Sequence, residues 1–278
     1  MDWTQREVIA SDGVRLAGYD GGHQDGPPVL LVHGFPDDHH VWDGVAAALA
    51  ARFRVLAFDV RGAGESAVPG ERTAYRLDQL AADITAVAAT AGGQPVHLVA
   101  HDWGSSQAWH AVTRDGAPSR FASFTSISGP DLAMAGGWLR HALRHDRRAA
   151  LRQMSSSWYL QLFRLPVVPQ LIWRSGLGFR SSGRPSTPAG LRNALNGLNL
   201  YKANMGRPGG AGPTRRCEVP VLVLAPRFDP YIGVKMQTEA PARWTSSLRT
   251  EVVDGGHWVL EKHPERVSEA VAAFVAAL

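Results

Sequence analysis

The sequence predicts an α/β fold: a mostly parallel β-sheet with helices on both faces and a helical segment inserted before its last strands. Three observations predict it. Short apolar runs alternate with longer helix-periodic runs through the first 130 residues, the pattern of parallel strands joined by helical crossovers. After Gly129 the chain becomes rich in Arg, Trp, Pro and Ser, with no clear strand until about residue 214. The stretch LVAHDWGSS (98–106) carries an apolar run straight into a helix-like run through a tight, small-residue turn.

Taken in order, Glu7–Ala10 and Val14–Tyr19 flank the turn residues SDG and read as a hairpin. PPVLLVHG is a buried strand ending in glycine, and Trp42–Ala51 has helical spacing. RVLAFDVRG is a strand that runs into a glycine-containing loop. Leu77–Thr90 reads as a helix, PVHLVAH as a strand, Ser105–Thr113 as a helix and FASFTSISG as a strand. In the inserted stretch, WLRHALRHDRRAALRQM, SSWYLQLFRL and GLRNALNGLNLYKANM have helical character. GRPGGAGP (206–213) reads as a flexible return linker. VPVLVLAP and LRTEVVDGG are then strands, and Pro264–Leu278 is an amphipathic terminal helix with proline in its first turn. The expected organisation is a core (1–130), a helical cap (131–213) and the rest of the core (214–278).

Composition narrows the function. Of 278 residues, 45% are apolar and 19% charged, enough to bury a substantial core. The net charge is +4, from scattered arginines and without a basic stripe interleaved with aromatics. Nucleic-acid binding is therefore not expected. Cys217 is the only cysteine, which excludes an intrachain disulfide and a cysteine zinc site. It reads as a small residue near a strand start. The N-terminal MDWTQREVIASDGVRL has no apolar signal region, and no run approaches a membrane span. A cytoplasmic protein, monomeric or homodimeric, is expected.

The turn at 98–106 has the spacing of a nucleophile elbow, which usually carries serine. Its central residue is Asp102. A serine there needs a base to take its proton, whereas a carboxylate is already ionised at neutral pH. Against an ester or amide a carboxylate gives an anhydride that reverts. Against a saturated carbon bearing a leaving group it forms an enzyme ester that water can hydrolyse. Epoxides and alkyl halides are such substrates. The alternative for Asp102 is a plain helix N-cap.

The remaining parts are a base, an acid to orient it and oxyanion donors. His257 in GGHW follows the last strand. Asp229 in PRFDPYIG follows the strand before, and Asp131 after TSISGP is the competing acid. The expected donors are the main-chain N–H groups of Trp103 and of Phe35 in HGFP. His33, Pro36 and Trp258 are candidate pocket residues, with His33 read as orienting its loop. Asp59 and Arg61 are read as fixing loops. DDHH (37–40) invites a metal reading, but adjacent ligands are not expected to face one ion. RHDRRAALR (144–152) reads as a solvated helix face, with acidic lipid as the alternative contact.

As a set, LLVHGFPD, FDVRGAGES, AHDWGS, RFDPYI and GGHW resemble, in order, the epoxide hydrolases of the α/β-hydrolase superfamily. The resemblance runs from about Gly13 to the C-terminus. Its wording is similar to actinobacterial members, sometimes found as one domain of a longer protein. It implies the α/β-hydrolase fold, a small epoxide and water as partners, and no cofactor or metal. It also implies two cap tyrosines that hydrogen-bond the epoxide oxygen. SSWYLQLFRLP resembles the segment of the first, at Tyr159, and LNLYKANM that of the second, at Tyr201; either could instead be cap packing. The rival activity is haloalkane or haloacid dehalogenation, for which the Phe35 ring supplies no halide donor. A ligand-binding member without turnover is the other alternative.

Overall fold

The structure, a computed structural model, describes residues 1–205 and 216–278. The expected linker at 206–213 lies outside the described residues. In chain order the first elements are β1 (Thr4–Ile9), β2 (Arg15–Gly22), β3 (Pro28–Val32), α1 (Asp43–Leu49), β4 (Arg54–Phe58), α2 (Leu77–Ala89), β5 (Val96–His101), α3 (Trp103–Val112) and β6 (Phe121–Ile127). Six helices follow among the described residues: α4 (Leu132–His145), α5 (Arg147–Ser156), α6 (Tyr159–Phe163), α7 (Val168–Arg174), α8 (Leu177–Ser182) and α9 (Pro188–Asn204). The chain closes with β7 (Val221–Pro226), α10 (Val234–Glu239), β8 (Leu248–Val253), α11 (Val259–Lys262) and α12 (Pro264–Ala276).

The eight strands form one sheet in the order β1-β2-β4-β3-β5-β6-β7-β8. Pairing is antiparallel at β1–β2 and β2–β4 and parallel from β4 to β8. Alternation along each central strand serves the two faces separately. Leu30, Val32, Leu98 and Ala100 join the core beneath α2 and α3. Val29, Leu31 and Val99 join the opposite core under α1 and α12. Each such leucine is fully buried, which stabilises the fold by about 1.5–3 kcal/mol.

The parallel register brings the carboxyl ends of five strands together: Val32 pairs with Ala100, Ala100 with Ser126, Leu224 with Ile127 and Pro226 with Val253. The loops leaving these ends carry Phe35, Asp102, Gly129, Asp229 and His257. Ligands of open α/β sheets bind at this edge.

Several sequence expectations change in detail. The hairpin strand β1 begins at Thr4, and α3 begins at Trp103 because Asp102 itself occupies the cap position. The run 138–154 is two helices, since Asp146 is non-helical and caps α5 by accepting from the Ala149 N–H at 3.1 Å. SSWYLQLFRL holds only the short α6. Four helices, α7, α8, α10 and α11, carried too few residues to show periodicity. Cys217 is buried and bridges in parallel to Thr245. No helix among the described residues is long and apolar enough to cross a membrane.

Candidate active site

Asp102 has φ 52° and ψ −124°, a conformation a non-glycine residue rarely adopts. The neighbours make the bend possible by having no Cβ. A Cβ on Gly104 would stand 2.3 Å from His33 O, and one on Gly129 would stand 2.1 Å from Asp102 O. Helix α3 therefore packs its first turn directly on the β3 loop, and the Asp102 carboxylate is carried up between them.

The Phe35 main-chain N–H donates to Asp102 Oδ1 at 2.7 Å, and the Trp103 N–H also hydrogen-bonds this carboxylate. His257 Nε2 lies 3.5 Å from Asp102 Oδ2. His257 Nδ1 lies 2.9 Å from Asp229 Oδ2. The other oxygen of Asp229 accepts from the N–H groups of Tyr231 at 2.8 Å and Ile232 at 3.1 Å. Asp102, His257 and Asp229 thus form one chain of contacts. Asp131 stands elsewhere: it caps α4, accepting from the Ala133 and Met134 N–H groups at 2.8 and 3.1 Å.

Burial raises the Asp102 pKa, but the His257 imidazolium and the hydrogen bonds outweigh it and hold the carboxyl below its ordinary value. Asp229 behaves likewise: burial raises it, and His257 with the Tyr231 N–H brings it down further. Burial opposes the charge on His257, yet the Asp229 and Asp102 carboxylates on its two sides raise it to about 10. The resting arrangement is carboxylate, imidazolium, carboxylate.

The inserted helices bring both predicted tyrosines over this chain. The Tyr201 ring packs edge-on against Trp103 and Phe35, with centroids 4.9 and 5.2 Å away. The Tyr159 ring packs on Tyr231 at 5.5 Å, and Tyr231 in turn on His257 at 4.9 Å. Burial, with Asp102 nearby, raises both phenols well above their ordinary pKa. They remain O–H donors throughout the neutral range. Two sets of polar clasps seat them. On α9, Asn193 accepts from the Gly64 N–H, Asn196 donates to Gly62 O, and Asn204 donates to Tyr75 O while accepting from the Leu77 N–H. On α5, Gln153 donates to Tyr231 O and accepts from the Gly233 N–H, both at 2.8 Å.

The candidate pocket residues divide. Trp258 packs on His257 at 4.8 Å and its Nε1–H donates to Asp37 Oδ2 at 2.8 Å. His33 Nε2 accepts from the Val60 N–H, so its Nδ1–H donates to Gly34 O, both at 2.9 Å. His33 and Pro36 line a small cavity with Gln107 and Leu200, whose walls do not include Asp102, His257 or the tyrosines. Asp59 accepts from the His39, Glu65 and Tyr19 groups around it, and Arg61 pairs with Asp83 and Asp12.

Sequence reasoning missed Tyr231, His101, Phe163, Trp173 and Arg184. His101 Nε2–H donates to His257 O at 2.9 Å, and its ring is held neutral by burial, at about 3. Phe163 and Trp173 close an aromatic wall around Phe35. Arg184 pairs with buried Asp37 at 2.7 Å and with Glu261. Tyr231 alone had a usable signal, two residues after Asp229. In the 3₁₀ turn at His39–Trp42, one ligand atom each of Asp38, His39 and His40 lie within 4.8 Å of one another. His39 Nδ1 there is 2.8 Å from Asp59 Oδ1, and His40 Nδ1 is 3.0 Å from Asp43 Oδ2.

A parallel sheet whose strand ends present an elbow, an acid and a histidine in that chain order defines the α/β hydrolase fold. The chain matches that family over residues 27–264 and belongs to it. Among curated relatives, the Mycobacterium tuberculosis protein named Probable oxidoreductase EphD is 37% identical over 290 residues, 97% of this chain and 49% of its own length. The chain thus spans about half the length of the curated relatives it matches first. Epoxide hydrolase 3 of Mus musculus is 28% identical over 288 residues, 96% of this chain and 75% of its own. A solved structure described as a novel epoxide hydrolase from metagenomes of hot environments superposes with a TM-score of 0.81 at 27% identity, covering 99% of both chains.

Proposed function

We propose that the chain hydrolyses an epoxide to a vicinal diol through a covalent ester on Asp102. The observation that carries this reading is that a carboxylate, not a hydroxyl, occupies the elbow and already touches the oxyanion donors. It gains support from the relatives named as epoxide hydrolases.

In this reading residues 131–213 act as a cap that closes over the substrate. The oxygen held by Phe35, Oδ1, sits where a carbonyl oxygen must sit, so Oδ2 is the attacking atom. It bonds to an epoxide carbon as the C–O bond of the ring breaks, and Tyr159 and Tyr201 donate hydrogen bonds or a proton to the released oxygen. Esterification then removes one of the two negative charges that hold the proton on His257. Its pKa falls, it gives up its proton to restore the one the tyrosines passed to the ring oxygen, and the neutral His257, oriented by Asp229, takes a proton from water. The hydroxide adds to the ester carbonyl, and the charge on Oδ1 is met by the Phe35 and Trp103 N–H groups; one such donor typically contributes about 3–4 kcal/mol. Collapse releases the diol and returns the carboxylate. The chemistry is complete with side chains and water.

Paired substrates test the assignment. Small aromatic and aliphatic epoxides should give diols, while matched haloalkanes release little halide. Rapid halide release without diol formation from any epoxide would replace the proposal with dehalogenation. Tight binding with no turnover would make the chain a receptor.

A further inference from the structure

The net charge of +4 conceals a division. Residues 131–205 carry eleven Lys and Arg against two Asp and Glu, leaving eighteen against twenty-three for the rest of the chain. The excess is concentrated beside exposed apolar side chains. On α5, Leu151 and Met154, with Trp158 just beyond the helix end, recur at a spacing of three and four and are 61, 48 and 64% exposed. They form one stripe, while Ala150 and Gln153 take the buried face. Val167, just ahead of α7, and Val168 and Leu171 on it add further exposed apolar side chains, Leu171 being 58% exposed. Arg147, Arg148 and Arg152 flank the stripe and Arg174 closes α7. None has a carboxylate within 4.0 Å among the described residues, and Asp146, the acid nearest in sequence, is occupied by Lys235 and by the α5 cap. Helices that expose leucine and tryptophan between arginines are costly in water and suit an interface that is apolar within and anionic above.

We propose that the exposed face of α5 docks on an anionic lipid surface, with Leu151, Met154 and Trp158 entering the headgroup boundary and the arginines meeting lipid phosphates. Charge selects this occupant. A second copy would set two strongly cationic faces against each other. A nucleic acid would satisfy the arginines but leave the apolar stripe exposed. The stripe also leads inward: Trp158 is followed directly by Tyr159, whose ring rests on Tyr231 beside His257. The docking face and the candidate site therefore share one segment of chain.

The test is co-sedimentation with vesicles of phosphatidylcholine, with and without phosphatidylglycerol, at about 0.15 M salt. The protein should bind the anionic vesicles and not the neutral ones. Charge reversal in R147E/R148E/R152E should weaken binding by about a hundredfold or more. L151S/M154S should weaken it by about tenfold while keeping every charge. Circular dichroism and thermal unfolding confirm that both variants are folded. Equal binding to neutral vesicles, no binding to anionic ones, or no effect of L151S/M154S overturns the proposal. So does a concentration-dependent dimer that hides the face, or duplex DNA binding tighter than the vesicles. None of these readouts depends on the reaction assigned to Asp102.

Discussion

The main-chain N–H of Phe35 donates to Asp102 Oδ1 at 2.7 Å, across 67 positions of sequence. Gly34 makes the approach possible, because a Cβ there would stand 2.5 Å from the same oxygen. In the proposed reaction, nucleophile and oxyanion donor are thus already in contact before substrate arrives.

Gly34→Ala should therefore separate the two. Turnover is expected to fall by about 10²–10³, the value of one oxyanion donor. The thermal midpoint should fall too, because the same Cβ would stand 2.8 Å from the His101 carbonyl oxygen, so turnover is compared at a temperature where both proteins are folded. Wild-type turnover in the alanine variant would show that this donor is not used.

Removing the base should divide the reaction. His257→Ala leaves Asp102 able to attack but leaves its ester without activated water. Incubation with an epoxide should add one substrate mass to the peptide containing Asp102. An unmodified peptide under conditions where wild type turns over contradicts this role for His257.

The charge chain has a consequence for stability against pH. His257 is raised to about 10 in the folded protein and returns to about 6.5 on unfolding. Below pH 6.5 both states hold the proton and its stabilisation is complete; as pH rises from there towards 10 the unfolded state loses the proton first and stability falls. Asp229→Asn removes one carboxylate, so this fall should shrink, and in His257→Gln it should vanish. Urea unfolding at pH 7, 8, 9 and 10 measures it, with lysines and tyrosines contributing equally to all three proteins. The same decline in all three would show that His257 is not charged by its neighbours.

Tyr159→Phe and Tyr201→Phe should each slow ester formation, and the double variant should slow it by about 10²-fold or more, as expected for loss of acid assistance. Hydrolysis of an ester already formed should be unchanged. Equal slowing of both steps would make the tyrosines packing residues of the aromatic wall.

Much of this was legible in the chain, and the reason is local. Strand period, glycine placement and the LVAHDWGSS turn act within a few residues, so the central sheet, the elbow and the loops bearing Asp229 and His257 could be placed directly. The choice between Asp229 and Asp131 was not local. It depends on which loop the β7–β8 register sets against His257, and the Asp131 carboxylate is instead taken by the first turn of α4. His101, Arg184 and Gln153 were invisible for the same reason: each acts through a partner at least 78 positions away. Short helices such as α7 and α8 offer too few turns for periodicity to register.

The central claim is that Asp102 is alkylated and then freed by attack at its own carbonyl carbon. One enzyme-limited turnover in ¹⁸O-water, followed by mass analysis of the peptide spanning residues 98–106, tests it most directly. The heavy atom should enter the Asp102 carboxylate while the first diol formed carries ordinary oxygen. Label in that first diol, with none in the peptide, would mean that water attacks the epoxide directly and that Asp102 is not the nucleophile.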